Sequence, residues 1–264
     1  MSELNMDQKQ QKHFVLVHGV SIGAWCWYKL KPQLESVGHK VTPLDLAACG
    51  INTNKIEDVH TFSDYSKPLL EFLASLDPNE KVVLVGHSFG GVSVALAMEK
   101  FPEKIAVGIF LTAFIPDTQH NPSYVLQQYV ERYPLTGWLD SEFSFSGNKM
   151  LLLPGTKFLS TKFFQLCSTE DLELVKILRR TGSLFVENLS EAENFSKERY
   201  ESVPRVYIVS NNDLAIPLEF QQWMIQNAGI NEVKVINGGA DHMVMLSKPQ
   251  ELCLSLLEIA KKYH

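Results

Sequence analysis

An α/β fold is expected from this chain: a mostly parallel sheet with helices on both faces, and an inserted, largely helical cap. Three observations predict it. Apolar runs such as HFVLVH, KVVLVG and KIAVGIFLT are continuous rather than alternating, as in strands buried on both faces. Helical patterns separate these runs. The rhythm then fails from about residue 116 to 200 and resumes with RVYIVS and VKVI.

The elements come in order. Residues 1–12 are polar and read as a disordered tail. The single domain spans 13–264. His13 to His18 forms the first strand, ending at Gly19. Trp25 to Val37 carries apolar positions at helical spacing and is closed by Gly38. Lys40 to Leu46 is a second strand in which Pro43 removes a ladder donor, which predicts an edge or irregular segment. Thr61 is placed to cap a helix from Phe62 to Ser75. Lys81 to Gly86 is the strongest strand signal. Phe89 to Phe101 is a helix rich in small residues, ended by Pro102. Lys104 to Thr112, Arg205 to Ser210 and Val233 to Ile236 complete the strands. A last helix runs from about Pro249 to Lys262. Residues 116–200 offer helical and irregular stretches with aromatics but no clear strand pair, so they are taken as the cap.

Composition bounds the function. The 264 residues are 45% hydrophobic and 20% charged, enough for a sizeable core, and the net charge is −6 with no basic run. Nucleic acid and anionic membranes are poor partners for such a chain. No apolar stretch reaches the length of a spanning helix, and the first twelve residues lack the apolar core of a signal peptide. Cys26, Cys49, Cys167 and Cys253 match no metal spacing. A cytoplasmic, soluble protein without a metal is expected; a homodimer is left open.

The chemistry sits at Gly86-His87-Ser88-Phe89-Gly90, a G-x-S-x-G motif with a strand before it and a helix after it. Five letters alone would also fit a glycine-rich turn with a capping serine. The strand-turn-helix context favours a nucleophile elbow, and with it the α/β-hydrolase fold. The N–H of Phe89 then points at a developing oxyanion, and Val20, in the loop after the first strand, is the second donor. A serine needs a base. Among eight histidines, His242 follows the last strand, and the chain order serine, acid, histidine selects it. Asp213, just past the strand Arg205 to Ser210, is the acid, against Asp117, Asp140, Asp171 and Asp241. His18 reads as structural, and His87 as leaving the elbow in another direction.

Four segments carry a family resemblance: His18-Gly19 with Gly23-Ala24-Trp25, then Leu44-Asp45-Leu46-Ala47-Ala48-Cys49-Gly50, then Gly86 to Gly91, then Ala240-Asp241-His242-Met243. Together they resemble the plant methylesterase and hydroxynitrile lyase family, nearest to its polyneuridine aldehyde esterase-like methylesterases, from about residue 13 onward. The resemblance implies a cofactor-free serine esterase acting on the methyl ester of a small plant metabolite, either an alkaloid aldehyde ester or a salicylate- or jasmonate-like one. Decarboxylation can follow where the released acid carries a β-carbonyl. Hydroxynitrile lyases of the family carry threonine at Gly19 and lysine at Met243, so this chain falls on the esterase side. The alternatives are a lyase, or a small-molecule receptor on a hydrolase scaffold. Trp138, Phe158, Phe163 and Leu214 join Gly19 and Met243 as candidate pocket residues.

Overall fold

The computed structural model describes residues 11–263, so residues 1–10 of the expected tail lie outside the described residues. Gln11 and Lys12 do not belong to a free tail. The Gln11 side chain donates to the Gly38 carbonyl, and the Lys12 N–H to His39 Nδ1.

The main strands are β1 (His13–Val17), β2 (Lys40–Leu44), β3 (Val82–His87), β4 (Ile105–Leu111), β8 (Arg205–Ser210) and β9 (Glu232–Ile236). They form one six-stranded sheet in the order β2-β1-β3-β4-β8-β9, with all pairs parallel. β1, β3 and β4 are buried along their whole length, which explains their unbroken apolar runs. Pro43 lies in β2, at one edge of the sheet, where a missing donor costs little.

Helices α1 (Lys31–Ser36), α2 (Phe62–Ala74), α3 (Gly90–Lys100), α7 (Leu218–Asn227) and α8 (Pro249–Ala260) accompany this sheet. α2 starts as its sequence suggests: Thr61 and Asp64 form a reciprocal capping box. The expected helix from Trp25 to Val37 is broken into a 3-10 turn, Ala24–Trp27, and the short α1. Trp27 and Leu30 are fully buried, so core packing rather than helical period sets the path there.

The region 116–200 returns on itself, because the buried Tyr200 hydroxyl donates to the Pro116 carbonyl. It holds α4 (Tyr124–Arg132), α5 (Thr169–Leu178) and α6 (Val186–Ser190), but also strands that the sequence pattern does not announce. β5 (Glu142–Ser146), β6 (Lys149–Leu153) and the short β7 (Gly182–Ser183) form an antiparallel sheet. The expectation of no clear strand pair is corrected here, while helices still make up more of the region than strands. β5 reads Glu-Phe-Ser-Phe-Ser with no buried face, so its alternation lacks the contrast of a core strand.

Three ties fix this region to the sheet side. The fully buried Asp171 accepts from Lys29 and Tyr28. Lys149 donates to the carbonyls of Ile56 and Val59. Arg180 donates to those of Gly50, Asn52 and Asn54.

Candidate active site

Ser88 sits between β3 and α3 with φ +55, a left-handed conformation costly for a serine. The turn is held by its own backbone. The Ser88 N–H donates to Leu111, and the Ser88 carbonyl accepts from Gly91 and Phe114. A Cβ at Gly90 would stand 2.4 Å from the His18 carbonyl oxygen, and one at Gly86 2.6 Å from Val94 Cγ2. Only glycine fits at either flank, which is the physical content of the motif.

The loop after β1 lies beside the serine. A Cβ at Gly19 would come within 2.8 Å of Ser88 Cβ, so Gly19 borders the nucleophile as expected. His18 is fully buried; its Nδ1–H donates to the Gly19 carbonyl at 2.7 Å, and its Nε2 accepts from the Leu46 N–H at 3.1 Å. Both bonds together require the neutral Nδ1–H tautomer, and burial pushes the ring's pKa down. Asp45 accepts from Ala24 and Ile51, and Gly50 leaves room for its carboxylate. The Leu44-to-Gly50 segment is thus a brace for the loop. The N–H groups of Val20 and Phe89 have no hydrogen-bond partner among the described residues.

Asp213 and His242 are brought together at the carboxyl edge of the sheet. His242 Nδ1 is 2.8 Å from Asp213 Oδ2, and both side chains are fully buried. The other oxygen, Oδ1, accepts the N–H groups of Ala215 and Ile216, each at 2.8 Å. His242 Nε2 is buried and unpartnered. It lines the same pocket as Ser88.

That pocket is lined by Val20, Ser88, Phe114, Tyr129, Trp138, Phe163, Leu184, Ala215, Ile216 and His242. Of the expected wall residues, Trp138 and Phe163 are there, and the Phe163 ring lies 4.5 Å from that of His242. Phe158 stands behind Trp138, stacked on it at 4.8 Å, and is not part of the lining. Leu214 is corrected: it is 49% exposed and is not part of the lining. The turn that Asp213 Oδ1 imposes on Ala215 and Ile216 sends those two residues inward instead. Met243 is corrected likewise. It is fully buried and absent from the lining, its N–H bonded to Asp241 Oδ1. Tyr129, whose hydroxyl donates to the Ala215 carbonyl, carries no signal in the sequence, and neither do Phe114 and Leu184.

Of the two neighbours of the pair, His87 differs from expectation and Asp241 does not. His87 does not leave the site: its Nε2–H donates to the His242 carbonyl at 2.9 Å, and the two rings are 4.6 Å apart. Burial, with His242 adding to it, holds its pKa well below the ordinary imidazole range. Asp241 turns away from the imidazole and accepts from the Leu166 N–H and the Cys167 thiol, both from the cap. Burial raises its pKa against those bonds.

Known proteins share this architecture. The alpha/beta hydrolase family matches residues 14–254. Polyneuridine aldehyde esterase from Rauvolfia serpentina is 54% identical over 96% of this chain and 97% of its own length. The crystal structure of a polyneuridine aldehyde esterase superposes with a TM-score of 0.93, covering 95% of this chain and 100% of the other. The chain belongs to the plant methylesterase and hydroxynitrile lyase family of α/β hydrolases. Methylesterase 1 of Arabidopsis thaliana is 52% identical over 97% of this chain and 99% of its own length. The alpha-hydroxynitrile lyase of the same plant is 53% identical, with 97% and 99% covered.

Proposed function

We propose that this carboxylic ester hydrolase cleaves the methyl ester of a small plant metabolite, with Ser88 as nucleophile, His242 as base and Asp213 as orienting acid. The observation that carries the reading is the unpartnered His242 Nε2, held by Asp213 from behind and lining the pocket that contains Ser88. Ser88 attacks the ester carbonyl while Nε2 takes its proton. The imidazolium is stabilised by Asp213. The N–H groups of Val20 and Phe89 receive the oxyanion, since neither has a hydrogen-bond partner among the described residues. Methanol leaves with the proton from His242. Water, activated by the same nitrogen, then releases the acid and restores Ser88.

No lysine or arginine among the described residues lines the pocket, and eight of its ten lining residues are aliphatic or aromatic. An uncharged, largely apolar acyl group suits it. An alkaloid aldehyde ester meets that description in its skeleton if its charged amine stays at the open mouth, and one with the aldehyde β to the ester would yield an acid able to lose carbon dioxide. Four unpaired cysteines, three of them buried, support a cytoplasmic setting. No helix among the described residues is long and apolar enough to cross a membrane.

The 53% identity to a lyase keeps cyanohydrin cleavage as the second reading. A panel of methyl esters assayed for methanol, beside mandelonitrile assayed for cyanide, separates the two. Methanol release with cyanide at the buffer rate supports the esterase. Cyanide release with no methanol from any ester overturns it.

A further inference from the structure

We infer that the cap strand β7, through Gly182, is a positioning element for the oxyanion loop, holding the Val20 N–H in place from the side opposite the sheet. The inference rests on the oxyanion role proposed for Val20.

An amide N–H points where its peptide plane points. The Gly19–Val20 plane is fixed on the sheet side, because the Gly19 carbonyl accepts the His18 Nδ1–H. The residue after Val20 is strained. Ser21 is fully buried and adopts φ +64, a region a serine occupies only when its surroundings impose it. The surroundings that impose it come from the cap. The Ser21 carbonyl accepts the Arg180 N–H at 3.0 Å, and the Ser21 hydroxyl donates to the Leu152 carbonyl at 3.3 Å. Arg180 is itself anchored on the carbonyls of Gly50, Asn52 and Asn54, so this hold does not depend on a loose segment.

Gly182 closes the clamp. A Cβ there would stand 2.7 Å from Val20 Cγ2, 2.9 Å from Ser21 Oγ and 3.1 Å from Ser21 N. Gly182 has no left-handed backbone, so an alanine suits its conformation and is opposed only by contact. The glycine is needed because β7 lies directly on the two residues that set the Val20 amide. The cap is then part of the oxyanion site and not only a wall of the pocket.

The test is Gly182→Ala in the full chain, with kcat and KM on a methyl ester, the affinity of a trifluoromethyl ketone, and amide exchange of residues 19–22. A displaced donor lowers kcat by about tenfold to 100-fold. Ketone affinity should fall with it, while KM stays within about twofold. In the Val20→Ala background, which removes one of the three contacts, the cost of Gly182→Ala should shrink in part, and with Ser21→Gly added, which removes the hydroxyl as well, to about threefold or less. Unchanged exchange with unchanged kcat overturns the clamp. A fall in kcat that is undiminished in the Val20→Ala, Ser21→Gly background overturns it too. Faster exchange at 19–22 with unchanged kcat and ketone affinity leaves the contact standing and overturns the role of Val20 as donor. Should Gly182→Ala fail to fold, Val20→Ala is the second variant. Val20→Ala opens the contact with Gly182 without adding bulk, so in that variant faster exchange at 19–22 with a lower kcat at constant KM is expected, and unchanged exchange with unchanged kcat overturns the clamp.

Discussion

Asp213→Asn tests the tautomer argument, and the structure fixes which way the new amide must face. Asp213 Oδ1 accepts two buried N–H groups, from Ala215 and Ile216, each at 2.8 Å. Oδ2 lies 2.8 Å from His242 Nδ1. Asparagine has nearly the same shape but one accepting and one donating end. Turning its NH2 toward Ala215 and Ile216 would leave two buried donors unpaired, at about 1–3 kcal/mol each. The oxygen therefore stays with them and the NH2 faces Nδ1. Nδ1 must then accept, which puts the ring proton on Nε2, where it blocks removal of the Ser88 proton. A loss of roughly three to four orders of magnitude in kcat is expected, about 4–5.5 kcal/mol, with the fold retained. Methanol release gives kcat and circular dichroism checks the fold. Asp241→Asn is the control, since that carboxylate serves Leu166, Cys167 and Met243. An Asp213→Asn protein within tenfold of native, beside an Asp241→Asn protein that is inactive, would refute the choice of acid.

Asp171→Asn should lower stability at neutral pH by roughly 1–3 kcal/mol, a few degrees in Tm. Burial raises this carboxyl's pKa, but bonds from Lys29, Tyr28 and Ser168 outweigh it and the net shift is downward. A depressed acid contributes stability above its unfolded pKa and loses it as pH falls through the folded one. The gap between native and variant Tm should therefore close below about pH 4; a gap that widens in acid contradicts the assignment. Phe163→Ala should change KM or kcat for a methyl ester by tenfold or more, as about 2–3 kcal/mol of contact is lost, while Leu214→Ala should stay near native. The reverse pattern would mean the lining is misread. Gly19→Thr should depress ester turnover more than tenfold, because its Cβ would stand 2.8 Å from that of Ser88. Met243→Lys would bury an ammonium where Met243 has no exposure, so thermal melting should show a destabilised protein. Native-like activity and melting in both variants would show that these positions have room the structure does not offer.

The centre of the sheet is legible in the sequence because β1, β3 and β4 are buried on both faces, and such strands need unbroken apolar runs. Ser88 and its flanking glycines are legible because only glycine fits beside the turn. The pairing of Asp213 with His242 comes from chain order, but the reason Asp213 is well placed does not. That lies in its second oxygen, which turns the chain at residues 215 and 216. The same turn takes Leu214 out of the pocket and puts Ala215 and Ile216 into it, and no property of a leucine in sequence signals this. The β5–β6 hairpin does leave a trace. The alternation Glu-Phe-Ser-Phe-Ser runs into Ser146-Gly147-Asn148-Lys149, and Gly147 has φ +61. Because Phe145 is 71% exposed, the alternation marks no core face and resembles a loop. The place of His87 is hidden for another reason: adjacency to Ser88 in sequence says nothing of its bond to a carbonyl 155 residues away.

The most direct measurement of the central claim is the intact mass of the protein during turnover of a slow methyl or nitrophenyl ester, read beside methanol or nitrophenol release, for native protein and for Ser88→Ala. The native protein should gain one acyl group, mapped by peptide digestion to Ser88, and release the alcohol before the acid. Ser88→Ala, with an unchanged circular dichroism spectrum, should gain no mass and turn over no ester. Turnover by Ser88→Ala at the native rate, or an acyl group on another residue, would contradict the account.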